Sequence, residues 1–303
     1  MRIEELKNNR VNDFIKYCKK HRAELDDSFL YEEDLQSFEP TEENPTYIVM
    51  NEQDGIVGAV SLIMDEYHRS GNKARFRIFH TEIESFEVYT LLMKAIMLHT
   101  KELEKVFLFV PFENRKLSEV MEGLKFNIER YTFVLVREDR EVPKFHLPNG
   151  YEIKKLQPGN EETWCAVRNP SFAKLKGSET PITPGMVKKM MSDDDHIEGG
   201  AMILYHGDKA VGVIRGTVDE YENAPIMNIG PIAIIPEYQG QGLGRVLLRA
   251  SLHFAKEKNY KRTILCVNAD NNHAKALYVQ EGFEQVEAVT CYKYDIHSTN
   301  VEI

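Results

Sequence analysis

Gly240, Gly242 and Gly244 stand at every second position in the stretch IIPEYQGQGLGR, Ile234 to Arg245. An apolar run, NIGPIAII from Asn228, precedes them, and an apolar-periodic run, RVLLRASLHFAKEK, follows. That pattern places the glycines in a turn from a strand into a helix starting near Leu243 or Gly244. A helix start leaves about four N–H groups without partners and carries partial positive charge. Glycines let the backbone turn sharply and let a ligand approach without meeting Cβ atoms. Such a turn seats an anion, and phosphate is the obvious occupant. Arg245 adds charge at the helix start, or is simply an exposed helix residue. A Walker loop would end in Gly-Lys-Ser/Thr and a dinucleotide loop would read GxGxxG, so GxGxG is neither. Pro236 ends the strand by removing a ladder donor, and Pro231 bends it earlier or marks a bulge.

What the spacing does match is Gln/Arg-x-x-Gly-x-Gly/Ala, here Gln239-Gly240-Gln241-Gly242-Leu243-Gly244. With IAIIPEYQGQGLGRVLLRASLHFA before it and NADNNHAKALYVQEGF (Asn268 to Phe283) after it, the chain resembles the GCN5-related N-acetyltransferase (GNAT) family over most of 201–296. The resemblance implies an N-acetyltransferase that moves an acetyl group from acetyl-CoA to a primary amine, without a metal. It implies that Ile232, Ala233 and Ile234, on a strand splayed from its neighbour, bond the pantetheine arm. It implies that the N–H groups from Gln239 to Arg245 hold the pyrophosphate and that Asn271 contacts the cofactor. Asn271 can equally be a turn residue with a self-satisfied side chain. Tyr278 matches the family's general acid, which protonates the departing thiolate. The other reading of Tyr278 is a core aromatic on the sheet. The family's usual base positions hold Cys266 and Asn228, neither a carboxylate. The apolar flank ILCV reads Cys266 as a buried, inert thiol. Asp219, Glu220 and Glu222 are the acids left near the mouth, as bases through water or as solvated loop charges.

The elements that must position these residues occur twice. TYIVMNEQDGIVGAVSLIMDEY (Thr46 to Tyr67) parallels AMILYHGDKAVGVIRGTVDEY (Ala201 to Tyr221), Gly58 pairing with Gly212 at an offset of 212 − 58 = 154. Each reads as a hairpin. Lys105 to Glu138 parallels Arg262 to Asp295, Gly123 pairing with Gly282 as a helix C-cap at an offset of 282 − 123 = 159. On that alignment Tyr278 falls opposite Glu119 and Asn271 opposite Phe112. The counterpart of the glycine loop, Arg77 to Ile96, has no glycine and would meet phosphate with Glu82, Glu84 and Glu87. The expectation is an α+β chain of two tandem GNAT-like domains, each a mixed, mostly antiparallel sheet flanked by helices. A degenerate copy without the cofactor loop would span 1–140, a linker EVPKFHLPNG 141–150, and the catalytic copy 151–303.

The 303 residues are twice the ~150-residue prior for one domain, consistent with two. A net charge of −10 suits neither nucleic acid nor its phosphates. No window approaches the ~18 apolar residues of a membrane helix, and the first residues have no secretory core. Cys18, Cys165, Cys266 and Cys291 form no CxxC, which argues against zinc or disulfides and for a cytoplasmic protein. Trp164 could line an acceptor cleft or sit in the core. The chain would be a monomer, its two copies forming a pseudo-dimer, or a homodimer. The alternative function is a non-catalytic CoA-binding or protein-interaction module on the same fold.

Overall fold

Short polar turns between apolar, β-branched runs make hairpins, and apolar-periodic runs make the helices that cover them. The computed structural model describes residues 1–297. In chain order the first half contains β1 (Arg2–Glu5), α1 (Val11–His21), α2 (Glu32–Gln36), β2 (Thr46–Met50), β3 (Ile56–Ile63) and α3 (Glu66–Ser70). It continues with β4 (Lys73–Thr81), α4 (Phe86–Met97), β5 (Lys105–Pro111), α5 (Arg115–Gly123) and β6 (Asn127–Arg137). The second half contains β7 (Tyr151–Lys155), α6 (Glu161–Phe172), α7 (Pro184–Met190), β8 (His196–His206), β9 (Lys209–Tyr221) and β10 (Ala224–Ile234). It ends with α8 (Leu243–Glu257), β11 (Thr263–Asn268), α9 (Asn272–Gln280) and β12 (Glu284–Asp295).

Two compact units result, and the first is built from two separate stretches of the chain. Unit 1 is Met1–Tyr131 with the chain from Ala288 on; unit 2 is Thr132–Glu287. The sheet of unit 1 runs β1-β2-β3-β4-β5-β12, and that of unit 2 runs β7-β8-β9-β10-β11-β6. Each is antiparallel except for one parallel pair, β4 with β5 and β10 with β11. The sixth strand of each sheet comes from the other half: Thr132–Arg137 of β6 pair with β11, and Val289–Asp295 of β12 pair with β5. The boundary expected at 141–150 is therefore displaced, because ladder hydrogen bonds rather than chain order decide which sheet a strand joins. Residues 298–303, the end of the expected C-terminal copy, lie outside the described residues.

The cores follow the same division. In unit 2, Trp164, Leu247, Leu248 and Val213 are fully buried and Phe283 nearly so, which resolves Trp164 as core. In unit 1, Val49, Leu62, Leu92, Met93 and Val106 are fully buried. Each such aliphatic or aromatic side chain contributes about 1.5–3 kcal/mol by leaving water.

Register corrects the repeat alignment. Gly58 lies opposite Thr81 as Gly212 lies opposite Ile234, an offset of 234 − 81 = 153. Ser85 is the N-cap of α4 as Gly242 is of α8, an offset of 242 − 85 = 157. The strand-to-helix loop of unit 1 is thus 157 − 153 = 4 residues shorter. Asn114 caps α5 as Asn271 caps α9, again 271 − 114 = 157. The counterpart of Asn271 is therefore Asn114, not Phe112, and that of Tyr278 is Met121, not Glu119. The left-handed residue after α9 is Gly282 (φ 89°), and its counterpart is Lys125 (φ 68°), not Gly123. Gly123 is glycine for another reason: an added Cβ would lie 2.6 Å from the Phe86 ring.

Candidate active site

β10 and β11 pair only at Met227–Thr263 and Asn228–Ile264, and no further rung joins them. From there β10 bonds only toward β9, through Ile232–Ile214, Ala233–Val213 and Ile234–Gly212. A register shift between Ile229 and Ile232 brackets Pro231, the bulge expected from that proline. One edge of Ile232–Ile234 is left without a ladder, which gives an extended ligand a strand to add to.

The loop after β10 begins with a 3-10 turn at Pro236–Tyr238 and reaches α8 through two glycines with φ 77°, Gly240 and Gly242. A Cβ built on Gly240 or Gly242 would meet no atom within 4 Å, so the loop surface is open. The Gln239 and Arg245 N–H groups donate to Pro236 O and Gly242 O. Between them, the N–H groups of Gly240, Gln241, Gly242, Leu243 and Gly244 have no acceptor among the described residues. The run of free donors is therefore shorter at both ends than the 239–245 stretch expected. The side-chain amides of Gln239 and Gln241 donate back to Ile234 O (2.9 Å) and Glu237 O (3.4 Å), bracing the loop from within. Leu243 is buried and anchors the helix start in the core.

Arg245 does not point a free guanidinium at the loop. Its Nη1 donates to Glu281 Oε1 (2.6 Å) and its Nη2 to Gln280. Arg249 donates to the same carboxylate from Nε and Nη2, both at 2.8 Å. The Glu281 side chain is fully buried. Burial alone would raise its carboxyl, but the hydrogen bonds from Arg249 and Arg245 outweigh burial and hold it below the ordinary carboxylate value. This cluster ties the first turns of α8 to the end of α9. Sequence reading missed Glu281; the signal was two arginines one helical turn apart, Arg245 and Arg249, with one acid before Gly282.

α9 carries the other two expected residues. Asn271 Oδ1 accepts from the Ala274 N–H (3.2 Å), an N-cap that leaves its Nδ2 donors uncommitted to that bond. Tyr278 is buried against Phe283, with ring centroids 6.1 Å apart. Burial pushes its phenol up to about 12, so the proton stays on at neutral pH.

Cys266 is exposed, against expectation. Strand alternation explains this: Leu265 and Val267 face the core and Cys266 the opposite side of β11. Asn228 Nδ2 donates to Asp219 Oδ2 (2.8 Å), and Glu222 pairs with Arg262 (2.8 Å), so both acids are tied to side-chain partners. The Glu220 N–H donates to Asp219 Oδ1 (2.8 Å).

Residues 164–283, which contain the loop, α9 and the splayed strand, match the model of the Acetyltransferase (GNAT) family. Mycothiol acetyltransferase of Catenulispora acidiphila is 27% identical over 169 residues, 54% of this chain and 54% of that protein. Mycothiol acetyltransferase of Kytococcus sedentarius is 26% identical over 150 residues, 49% and 50%. Over residues 164–283 the chain is thus similar to the GNAT family. It spans about half the length of these relatives. Among solved structures, a GCN5-related N-acetyltransferase from Sphaerobacter thermophilus matches with a TM-score of 0.72 at 14% identity, covering 97% of this chain and 95% of that one. A tandem GNAT protein from the clavulanic acid biosynthesis pathway gives 0.71 at 14%, covering 99% of each. The tandem GNAT fold thus extends over the whole chain. No helix among the described residues is long and apolar enough to cross a membrane.

Proposed function

We propose that this protein transfers an acetyl group from acetyl-CoA to a primary amine, in the cytoplasm, at the cleft of unit 2. The observation that carries the reading is the run of five unsatisfied N–H groups from Gly240 to Gly244 on an open glycine surface, beside a strand released from its neighbour. Gly240 to Gly242 are exposed, so their donors are open to a ligand, and N–H groups lined up at a helix start favour an anionic acceptor. Acetyl-CoA would supply a pyrophosphate for those donors, an extended arm and a reactive thioester. Gly240 to Gly244 hold the pyrophosphate through backbone N–H, and Ile232 to Ile234 bond the arm through their free edge. Asn271 donates from Nδ2. Tyr278 holds a proton on its phenol oxygen and gives it to the leaving sulfur. Unit 1, with a shorter loop and no glycine in it, is the degenerate copy, so the chain takes one acetyl-CoA.

Calorimetry with acetyl-CoA tests the binding half, with one site per chain expected. Thiol release in the presence of an amine panel tests the chemistry, and the acceptor of mycothiol acetyltransferases belongs on that panel because the relatives bear that name. Tight binding with no thiol release for any amine would favour a CoA-binding module instead. A stoichiometry of two would overturn the assignment of unit 1.

A further inference from the structure

The splay that opens unit 2 also occurs in unit 1, and there it encloses different chemistry. β4 pairs with β5 only at Lys73–Lys105, Ala74–Val106 and Arg75–Phe107. Beyond that, unit 1 has a cavity of about 750 Å³ lined by, among others, His21, Glu24, His80, Glu82 and Asn114. His21 closes α1, Glu24 sits on the 3-10 turn that follows, and His80 is the penultimate residue of β4. His21 and His80 are 5% and 8% exposed, and their rings lie 4.3 Å apart. One donor atom from each of His21, Glu24 and His80 lies within 4.8 Å of the others.

The hydrogen bonds ask for a positive charge at this point. His21 faces a carboxylate on both ring nitrogens, Glu24 at 2.9 Å from Nδ1 and Glu82 at 2.8 Å from Nε2. A neutral imidazole has one N–H, so one of these carboxylates must face a lone pair unless a second proton or a metal lies between. His80 Nδ1 lies 2.7 Å from the Tyr17 hydroxyl, while its Nε2 lies 3.5 Å from the second oxygen of Glu24. One assignment satisfies every group. His21 Nδ1, His80 Nε2 and the Glu24 carboxylate converge on a cation. His21 Nε2–H then donates to Glu82, which also accepts from Lys20 (2.6 Å), and His80 Nδ1–H donates to Tyr17. Metal-bound histidines characteristically give their other N–H to such a partner.

We propose that the cleft of unit 1 is a divalent transition-metal site of the zinc class, with His21, Glu24 and His80 as ligands and a fourth position open to the cavity. Two nitrogens and a carboxylate with an open position is a ligand set that zinc takes in catalytic sites. Tetrahedral zinc at about 2.0–2.2 Å from its ligands needs them roughly 3.4 Å apart. The closure falls to Glu24, whose side chain is 57% exposed. This departs from the expectation of no metal. It is independent of the acetyltransfer proposed for unit 2, since none of its residues belongs to that site.

The test uses tag-free full-length protein, dialysed against chelator and titrated with zinc chloride in competition with a chromophoric chelator. One zinc per chain is expected, and cobalt(II) should give visible bands of a low-coordinate site. Glu24→Gln and His80→Gln should remove that binding. Glu82→Gln, which changes only the partner of His21, should weaken it about 10–100-fold. Glu24 is largely exposed, so its variant keeps the test valid if His80→Gln fails to fold; circular dichroism checks both. No zinc bound by wild type, or zinc bound equally by wild type and folded Glu24→Gln, overturns the proposal.

Discussion

Units 1 and 2 share one strand order, one splayed parallel pair and one pair of capped helices, yet the residues at the splay differ almost completely. Where unit 2 has Ala233 and a loop ending at Gly242, unit 1 has His80 and a loop four residues shorter ending at Ser85. Where unit 2 has Arg245, Arg249 and Glu281, the 157-residue offset gives Val88, Leu92 and Leu124, all buried. Tyr278 becomes Met121. What survives is what the backbone needs: the asparagine caps Asn114 and Asn271, and the left-handed residue after each helix. The comparison teaches that an asparagine at this cap is no evidence of cofactor binding by itself, since the fold uses it in both units. The glycine loop and the phenol of Tyr278 are what unit 2 has and unit 1 lacks at these positions.

The largest effect expected from breaking that distinction is at the loop. Gly242→Asp places a carboxylate beside the free N–H groups. Repulsion of unit charges about 4 Å apart is roughly 4 kcal/mol at an effective dielectric of 20, or about 10³-fold in affinity. Gly242→Asn supplies the control, because asparagine tolerates the left-handed backbone without the charge. Calorimetry should show acetyl-CoA binding lost in the first variant and reduced far less in the second. Equal affinities would remove the loop as the anion seat.

Next is Tyr278→Phe. General acid catalysis contributes about 10²–10⁴-fold, and a phenol pushed up to about 12 is a weak donor, so a loss near the lower bound is expected in kcat. KM for acetyl-CoA should change little, because the phenol acts on charge that appears only as the bond breaks. Melting temperatures should match wild type. Normal turnover with intact stability would return Tyr278 to the core.

Much of this was legible in the sequence, and the failures have physical causes. The glycine spacing gave the loop, and Pro231 and Pro236 gave the bulge and the strand end, because these residues act on their own backbone. The exchange of β6 and β12 was not legible, since a strand's alternation says which face it buries and not which sheet it joins. The offset slip arose from pairing Gly123 with Gly282 on residue type alone, when the left-handed position was held by Lys125. Cys266 was misread because an apolar run conceals its alternation. The buried histidines of unit 1 lie far apart in sequence, at 21 and 80, and converge only through the tertiary fold.

A smaller effect is expected at the ion cluster. Glu281→Leu alone leaves two guanidiniums without their carboxylate. Breaking a buried pair costs about 3–5 kcal/mol, but Arg245 and Arg249 are partly exposed and reach water, so roughly 2 kcal/mol is expected. Copying unit 1 in full, with Arg245→Val, Arg249→Leu and Glu281→Leu together, should recover most of that loss, since apolar residues of suitable volume often replace buried ions without penalty. Thermal unfolding of both variants measures it. An unchanged single variant would mean the cluster does not hold α8 to α9.

The smallest effect is the pH dependence of that same cluster, and its sign follows from the carboxyl. Glu281 is held below its ordinary value in the folded protein by Arg249 and Arg245, against the opposing pull of burial. In the unfolded chain it titrates near about 4.3. A depressed folded value means the unfolded state binds the proton first as pH falls, so stability is lost on acidification. The contribution is fully present above about pH 4.3 and drains as pH falls through the folded value. Each unit of depression corresponds to about 1.4 kcal/mol, which keeps this within the roughly 2 kcal/mol of the substitution. Between neutral pH and pH 5 the cluster therefore adds no slope. Wild type and the triple variant should melt in parallel there, and wild type should fall faster below pH 4. Divergence already between pH 7 and 5 would mean that Glu281 is not held ionised by its arginines, and that unit 2 differs from unit 1 here in packing alone.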